Sequence, residues 1–301
     1  MARQTFQLKE LLLLSLAPII WGSTFLITTE LLPAGYPITV ATLRALPAGL
    51  LLLAVTRQLP SLKWINKILI LGALNFSLFW ICLFIAAYRL PGGIAATIGA
   101  IQPLIVIFLA RGLLGMQIQL WTIAAAIIGL GGVALLVLTP KTQLDIVGVV
   151  AAVAGATSMA AGIVCSRKWQ PETSLISFTA WQLIAGGLLL LPFALLLEPA
   201  FPPLTIESLS GLVYLSVIGA AFTYLLWFRG IAQIPPASVS MLSLLSPLTA
   251  ILLGWGFLNQ QLNNTQFIGV LIVLASVLLN GRPPRKALNR KLSSTLISKE
   301  L

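Results

Sequence analysis

The sequence has no histidine and only seven acidic residues among 301. Histidine is the usual proton shuttle near neutral pH and the commonest metal ligand, so its absence removes both roles. The acids are Glu10, Glu30, Asp145, Glu172, Glu198, Glu207 and Glu300. All fall at expected helix ends, in loops or in the C-terminal tail, so none pairs with another for acid–base work inside the chain. Cysteine is nearly absent as well. Cys82 and Cys165 stand far apart in apolar segments and match neither a metal-ligand nor a redox spacing. No glycine-rich phosphate loop is present, which argues against an ATP-driven pump. These absences predict no metal and no cofactor. Charge is scarce too, at 8% of residues, where a soluble domain carries about 25%.

Apolar residues take the place of charge. They make up 58% of the chain, and the mean hydropathy is +1.02. Windows of about 20 apolar residues, the length needed to cross a bilayer, recur ten times. The expected helices are 8–31, 39–56, 67–88, 92–111, 118–138, 146–166, 174–197, 208–230, 236–258 and 264–281. Arg3 and Lys9 precede the first run as they would in a signal peptide. That run, Leu11 to Thr29, is longer than a signal core, so it reads as a retained helix.

The ten windows divide into two similar sets. Leu90-Pro91 followed by Gln102-Pro103-Leu104 returns as Ile234-Pro235 followed by Ser246-Pro247-Leu248, with 144 residues between matching prolines. A leucine-rich match pairs Ala48-Gly49 with Gly186-Gly187 and Arg44 with Gln182 at an offset of 138. Residues 1–143 and 144–281 thus read as two five-helix repeats, followed by a basic tail over 282–301. Five is odd, so the second repeat must enter the membrane from the opposite side. The predicted fold class is an all-α integral membrane protein of ten transmembrane helices, built from two inverted five-helix repeats.

The basic residues test this count. The net charge of +11 is not a nucleic-acid surface, because it is confined to helix ends and the tail. With the N-terminus in the cytoplasm, 15 of the 18 Lys and Arg residues lie on the cytoplasmic side, and only Arg44, Arg89 and Lys141 lie outside. Such a bias in short loops is the positive-inside pattern. It predicts a multi-pass inner (plasma) membrane protein with both termini cytoplasmic, in contact with membrane lipid and acting as a monomer or homodimer.

Polar residues inside these windows are the candidate site. Proline removes one helical N–H and frees a carbonyl four residues earlier. Pro103 would free that of Gly99, and Pro247 that of Ser243. Paired breaks in corresponding segments point to the binding site of a transporter, with Gly99, Pro103 and Pro247 as hinge or cavity positions. Kinks that improve packing are the alternative. Gln102, Ser243, Ser246 and Asn75 are uncharged polar residues that should face protein or cavity. Trp21, Trp80 and Tyr224 fall deep enough to wall a pocket, whereas Trp64, Trp121 and Trp169 suit the interfacial belt. Arg44 sits roughly 9 Å into the second window at 1.5 Å per residue. It either contacts the solute or snorkels to the outer interface. Its repeat partner is Gln182, so the charge belongs to one half only, which suits a solute with one anionic end.

Trp21-Gly22-Ser23-Thr24 in the first helix, Leu43-Arg44 in the second and the repeated Pro-Leu of the fourth and ninth resemble the EamA-type carriers of the drug/metabolite transporter superfamily. The resemblance runs from about Leu11 to Gly281. It implies a ten-helix carrier of small metabolites, often an exporter, with a central cavity between its halves. The glutamate that family usually shows after the fourth and ninth helices is absent here, where the chain reads Leu114-Gly115-Met116-Gln117 and Leu258-Asn259-Gln260-Gln261. The expected function is secondary transport of an amino acid, amine or drug-like solute, exported by alternating access. An integral-membrane enzyme on lipid-linked substrates and a passive channel are the rival classes. The first would need a catalytic cluster that the chain lacks.

Overall fold

The computed structural model describes residues 2–90, 92–137, 145–258 and 263–280, with residues 2–9 and 92–93 as backbone only. Pro91, Lys141 and the basic tail lie outside the described residues. Every element found among them is helical. The helices are α1 (Ala2–Leu31), α2 (Pro37–Thr56), α3 (Leu62–Arg89), α4 (Ile94–Leu114), α5 (Leu120–Val137), α6 (Ile146–Lys168), α7 (Leu175–Leu197), α8 (Ile206–Gln233), α9 (Pro236–Phe257) and α10 (Asn264–Asn280). The first nine are long and apolar enough to cross a membrane, and α10 is an apolar helix of 17 residues. Large apolar side chains such as Leu12, Val55, Phe108, Leu196 and Leu278 remain exposed on the outer faces. A bundle solvated by hydrocarbon has this surface. The chain is a multi-pass membrane protein.

Helices α2, α3 and α8 begin earlier than hydropathy predicts, and polar groups cap the starts of α2 and α8. Pro37 opens α2 in the first turn, where its missing N–H costs nothing. The carboxylate of Glu198, at the end of α7, accepts from Ile38 N at 2.6 Å and Thr39 N at 2.7 Å. Helix α3 starts directly after Ser61. Helix α8 starts at a capping box between Thr205 and Ser208.

Four helices are irregular, and the irregularities match between the halves. α3 and α8 each contain a π-helical stretch, at Ala73–Ser77 and Tyr214–Phe222. Such bulges leave carbonyls in need of outside donors. Ser158 donates to Leu74 O at 2.9 Å, and Thr223 to Gly219 O at 2.8 Å. α4 breaks after Gly99 and α9 after Leu242, each just before its proline. The chain there tightens to bonds three residues apart: Ile101 N to Ile98 O, Leu104 N to Ile101 O, Ser243 N to Ser240 O and Leu244 N to Met241 O.

The main packing partners exchange when the halves are exchanged. α2 lies along α7, and α5 along α10. The contact of α3 with α6 matches that of α8 with α1; α4 on α6 matches α9 on α1; α3 on α7 matches α8 on α2. Glycine permits the central α2–α7 crossing. A Cβ at Gly49 would meet Ile184 Cγ1 at 2.7 Å, and one at Gly187 would meet Leu46 Cβ at 2.8 Å. Packing therefore interlocks the halves: α1 joins α8 and α9, and α6 joins α3 and α4.

Candidate functional site

A cavity of about 840 Å³ opens between the group α1, α8, α9 and the group α3, α4, α6. That is the size of a pocket for a small organic molecule. Its lining comes from the later halves of α1, α3 and α8, the earlier halves of α4 and α6, and the middle of α9. α2 contributes Arg44 and α5 its last residue, Val137. The cavity therefore lies toward the end of the bundle where α1 passes into α2. The matched breaks bring Gly99, Ala100 and Gln102 into the wall from α4, and Ser243, Leu244, Ser246 and Pro247 from α9.

Aromatic rings make the floor. Trp21 lies 5.1 Å from Tyr224 and 4.9 Å from Trp227 between ring centres. Tyr224 continues to Phe76 at 4.7 Å and Phe228 at 5.9 Å, and Phe228 to Phe178 at 6.2 Å. Trp21 Nε1 donates to Thr223 Oγ1 at 2.9 Å, which ties the ring to α8 just after its π-helical stretch. Below the floor a cavity of about 130 Å³ is lined by Phe178, Phe228, Ile231 and Ala232. At that end Arg229 binds Glu10 through both carboxylate oxygens, at 2.7 and 3.1 Å. Arg167 donates to Ile231 O at 3.0 Å and to Ala232 O, covering the terminal carbonyls of α8. Charge and packed aromatics thus close the chain on one side of the cavity.

Arg44 is the cation of the cavity. Its Nη2 donates to Gly219 O at 2.6 Å, and its guanidinium carbon stands 5.5 Å from the Trp80 ring centre, within cation–π range. The two ion pairs among the described residues, Arg89–Asp145 and Arg229–Glu10, do not include it. It turns inward, so snorkelling to the outer interface does not describe its position.

The expected site residues divide. Trp21, Arg44, Trp80, Gly99, Gln102, Tyr224, Ser243, Ser246 and Pro247 line the cavity. Pro103 is buried in α4 beside it but does not line it. Asn75 lies apart from it. Its Nδ2 donates to Gln182 Oε1 at 2.9 Å and Ser166 Oγ at 3.1 Å. It packs so closely on α6 that a Cβ at Gly162 would meet Asn75 Oδ1 at 2.1 Å. Polarity alone put Asn75 inside the protein, and a cross-helix amide cluster, not the cavity, absorbs it. Trp181 is likewise structural, donating to Gln58 O at 2.7 Å. The cavity also uses Trp227, Phe79, Gly155 and Met159. Nothing in their apolar windows marks them except, for Trp227, the spacing of three from Tyr224 that shares a helix face.

Comparison with known proteins agrees with this architecture. The model of the EamA-like transporter family matches residues 8–138 and again 146–282. Protein PecM of Dickeya dadantii (strain 3937) is 41% identical over 265 residues, covering 87% of this chain and 89% of its own. The uncharacterized inner membrane transporter YedA of Escherichia coli (strain K12) is 25% identical, covering 87% of each chain. The uncharacterized transporter YvbV of Bacillus subtilis (strain 168) is 26% identical, covering 92% of this chain and 93% of its own. A solved crystal structure with 20% identity superposes with a TM-score of 0.77 over 90% of this chain and 97% of that one, a likeness of fold alone. With the doubled family match spanning nearly all of the sequence and relatives named as transporters, not enzymes, the chain belongs to the EamA-like transporter family.

Proposed function

We propose that the protein is a secondary carrier that exports a small metabolite across the inner (plasma) membrane by alternating access. The observation that carries this reading is the cavity at the two matched helix breaks, bounded below by an aromatic floor and an ion pair. A site between the two helix groups that is open toward one end of the bundle and closed toward the other is what a rocking carrier requires. α10 completes ten crossings in this reading. Residues 1–143 and 144–281 form inverted repeats, and both termini are cytoplasmic. The exchange-symmetric packing supports the repeat, and the basic bias supports the orientation. The cavity then faces outward. Its described lining carries no acidic side chain, which favours facilitated diffusion or exchange over obligatory proton antiport. Flux through purified protein in liposomes tests the carrier: internal substrate should accelerate uptake of external substrate. A rate independent of internal substrate would mean a fixed pore. A reporter fused at Gly281 tests the topology, and periplasmic activity there would refute both the ten crossings and the inversion.

A further inference from the structure

Three buried nitrogens in the cavity lining have no hydrogen-bond partner: Arg44 Nε, Trp227 Nε1 and Gln102 Nε2. Arginine and tryptophan side chains hold donors and no acceptors. Two of the three therefore demand acceptors under any assignment, and the Gln102 amide can supply a third donor. Buried donors without partners are costly and uncommon. The remaining orphan among the described side chains, Asn75 Oδ1, is an acceptor, and it lies outside the cavity.

The charge balance runs the same way. The partners of Arg44 are a carbonyl and a ring face, neither of which carries a formal charge. No carboxylate belongs to the described lining: Glu10 binds Arg229, Asp145 binds Arg89 and the α6 N-terminus, Glu198 binds the α2 N-terminus, and Glu30 is exposed on α1 outside the lining. An anion entering the cavity gains a guanidinium already positioned and only partly satisfied, a charge-assisted contact. An ammonium group would meet a cation and no carboxylate. Around these donors the wall is aromatic or aliphatic, with Phe25, Phe79, Leu83 and Met159.

We propose that the solute of this cavity is an organic anion: a carboxylate or similar oxyanion on an aromatic or otherwise apolar body, with no ammonium group. The proposal rests on the carrier reading and narrows it. It excludes amines and disfavours zwitterionic amino acids. Arg44 holds the oxyanion, and Trp227 and Gln102 offer donors to acceptor oxygens on the same solute.

Three probes that differ by one charged group each test this: 3-phenylpropionate, phenylalanine and phenethylamine. Binding to the purified full chain in nanodiscs is read from tryptophan fluorescence, since Trp21, Trp80 and Trp227 line the cavity. The expected result is half-saturation by 3-phenylpropionate at a concentration about tenfold or more below that of either amine, the scale of one charge-assisted hydrogen bond. Arg44→Gln should abolish the preference, and Arg44→Lys should keep part of it, because it retains charge but loses the planar fork. Equal or tighter binding of phenethylamine, no binding of any probe, or a preference that survives both Arg44 variants would overturn the proposal. Flux separates the two readings. Selective binding of 3-phenylpropionate without its transport in liposomes refutes the carrier and leaves the anion site. Transport that prefers phenethylamine refutes the anion site and leaves the carrier.

Discussion

The same slot is filled in opposite ways in the two halves. Position 44 on α2 corresponds to 182 on α7, and position 75 on α3 to 219 on α8, by the sequence offsets of 138 and 144. One slot holds Gln182 against Asn75, with Ser166 completing a neutral cluster in the buried interior. The other holds Arg44 against the carbonyl of Gly219, beside the cavity. Both side chains reach the π-helical stretch of the facing helix, so the architecture is shared. The amide cluster leaves an acceptor, Asn75 Oδ1, without a partner, whereas the guanidinium in the cavity lining leaves a donor nitrogen without one. Under the proposed anion site, a duplicated framework uses one copy of a position for packing and the other for recognition, as a solute with one anionic end would require.

Breaking the two slots separately should give opposite phenotypes. Arg44→Gln makes the halves alike. Transport should fall to about one hundredth, the cost of removing a buried charge from its partner, while the melting temperature stays near wild type. Liposome flux together with a thermal unfolding curve checks both parts. Full flux in this variant would remove Arg44 from the site. Gln182→Leu should do the reverse. Asn75 loses an acceptor inside the bundle, so stability should drop by about 1–2 kcal/mol, with flux within about twofold of wild type. A Gln182→Leu protein that melts normally but no longer transports would mean that the slots had been assigned the wrong way round.

Two ion pairs offer a smaller contrast. Glu10–Arg229 at the closed end is bidentate, and its carboxylate is 8% exposed. Glu10→Gln should weaken that end by about 1 kcal/mol and shift the population toward opening there. A cysteine at Ile231, buried by the small cavity, should then react several-fold faster with a water-soluble thiol reagent. An unchanged rate would make the pair a static brace. Arg89–Asp145 is a single contact of 3.4 Å with side chains 49% and 40% exposed. Arg89→Gln should change stability by less than about 0.5 kcal/mol and leave flux unaltered. A larger loss on denaturant unfolding would mark that end of the bundle as a second closure.

Hydropathy determined the membrane solvent and the order of the helical segments, because burial in hydrocarbon acts on every residue of a window at once. Pro103 and Pro247 carried the position of the cavity in the sequence, since a missing N–H is a local defect visible without a fold. Helix starts were less legible: Glu198 caps α2 from another helix, and no window of sequence contains both partners. The destination of each polar side chain was decided only by tertiary structure. Gln102 and Asn75 look equivalent as isolated polar residues in apolar helices, yet one lines the cavity and the other joins Ser166 and Gln182 in a buried cluster. Which of them remains available to a solute depends on what the neighbouring helices present across the gap, and that depends on side-chain geometry between segments roughly a hundred residues apart in the chain.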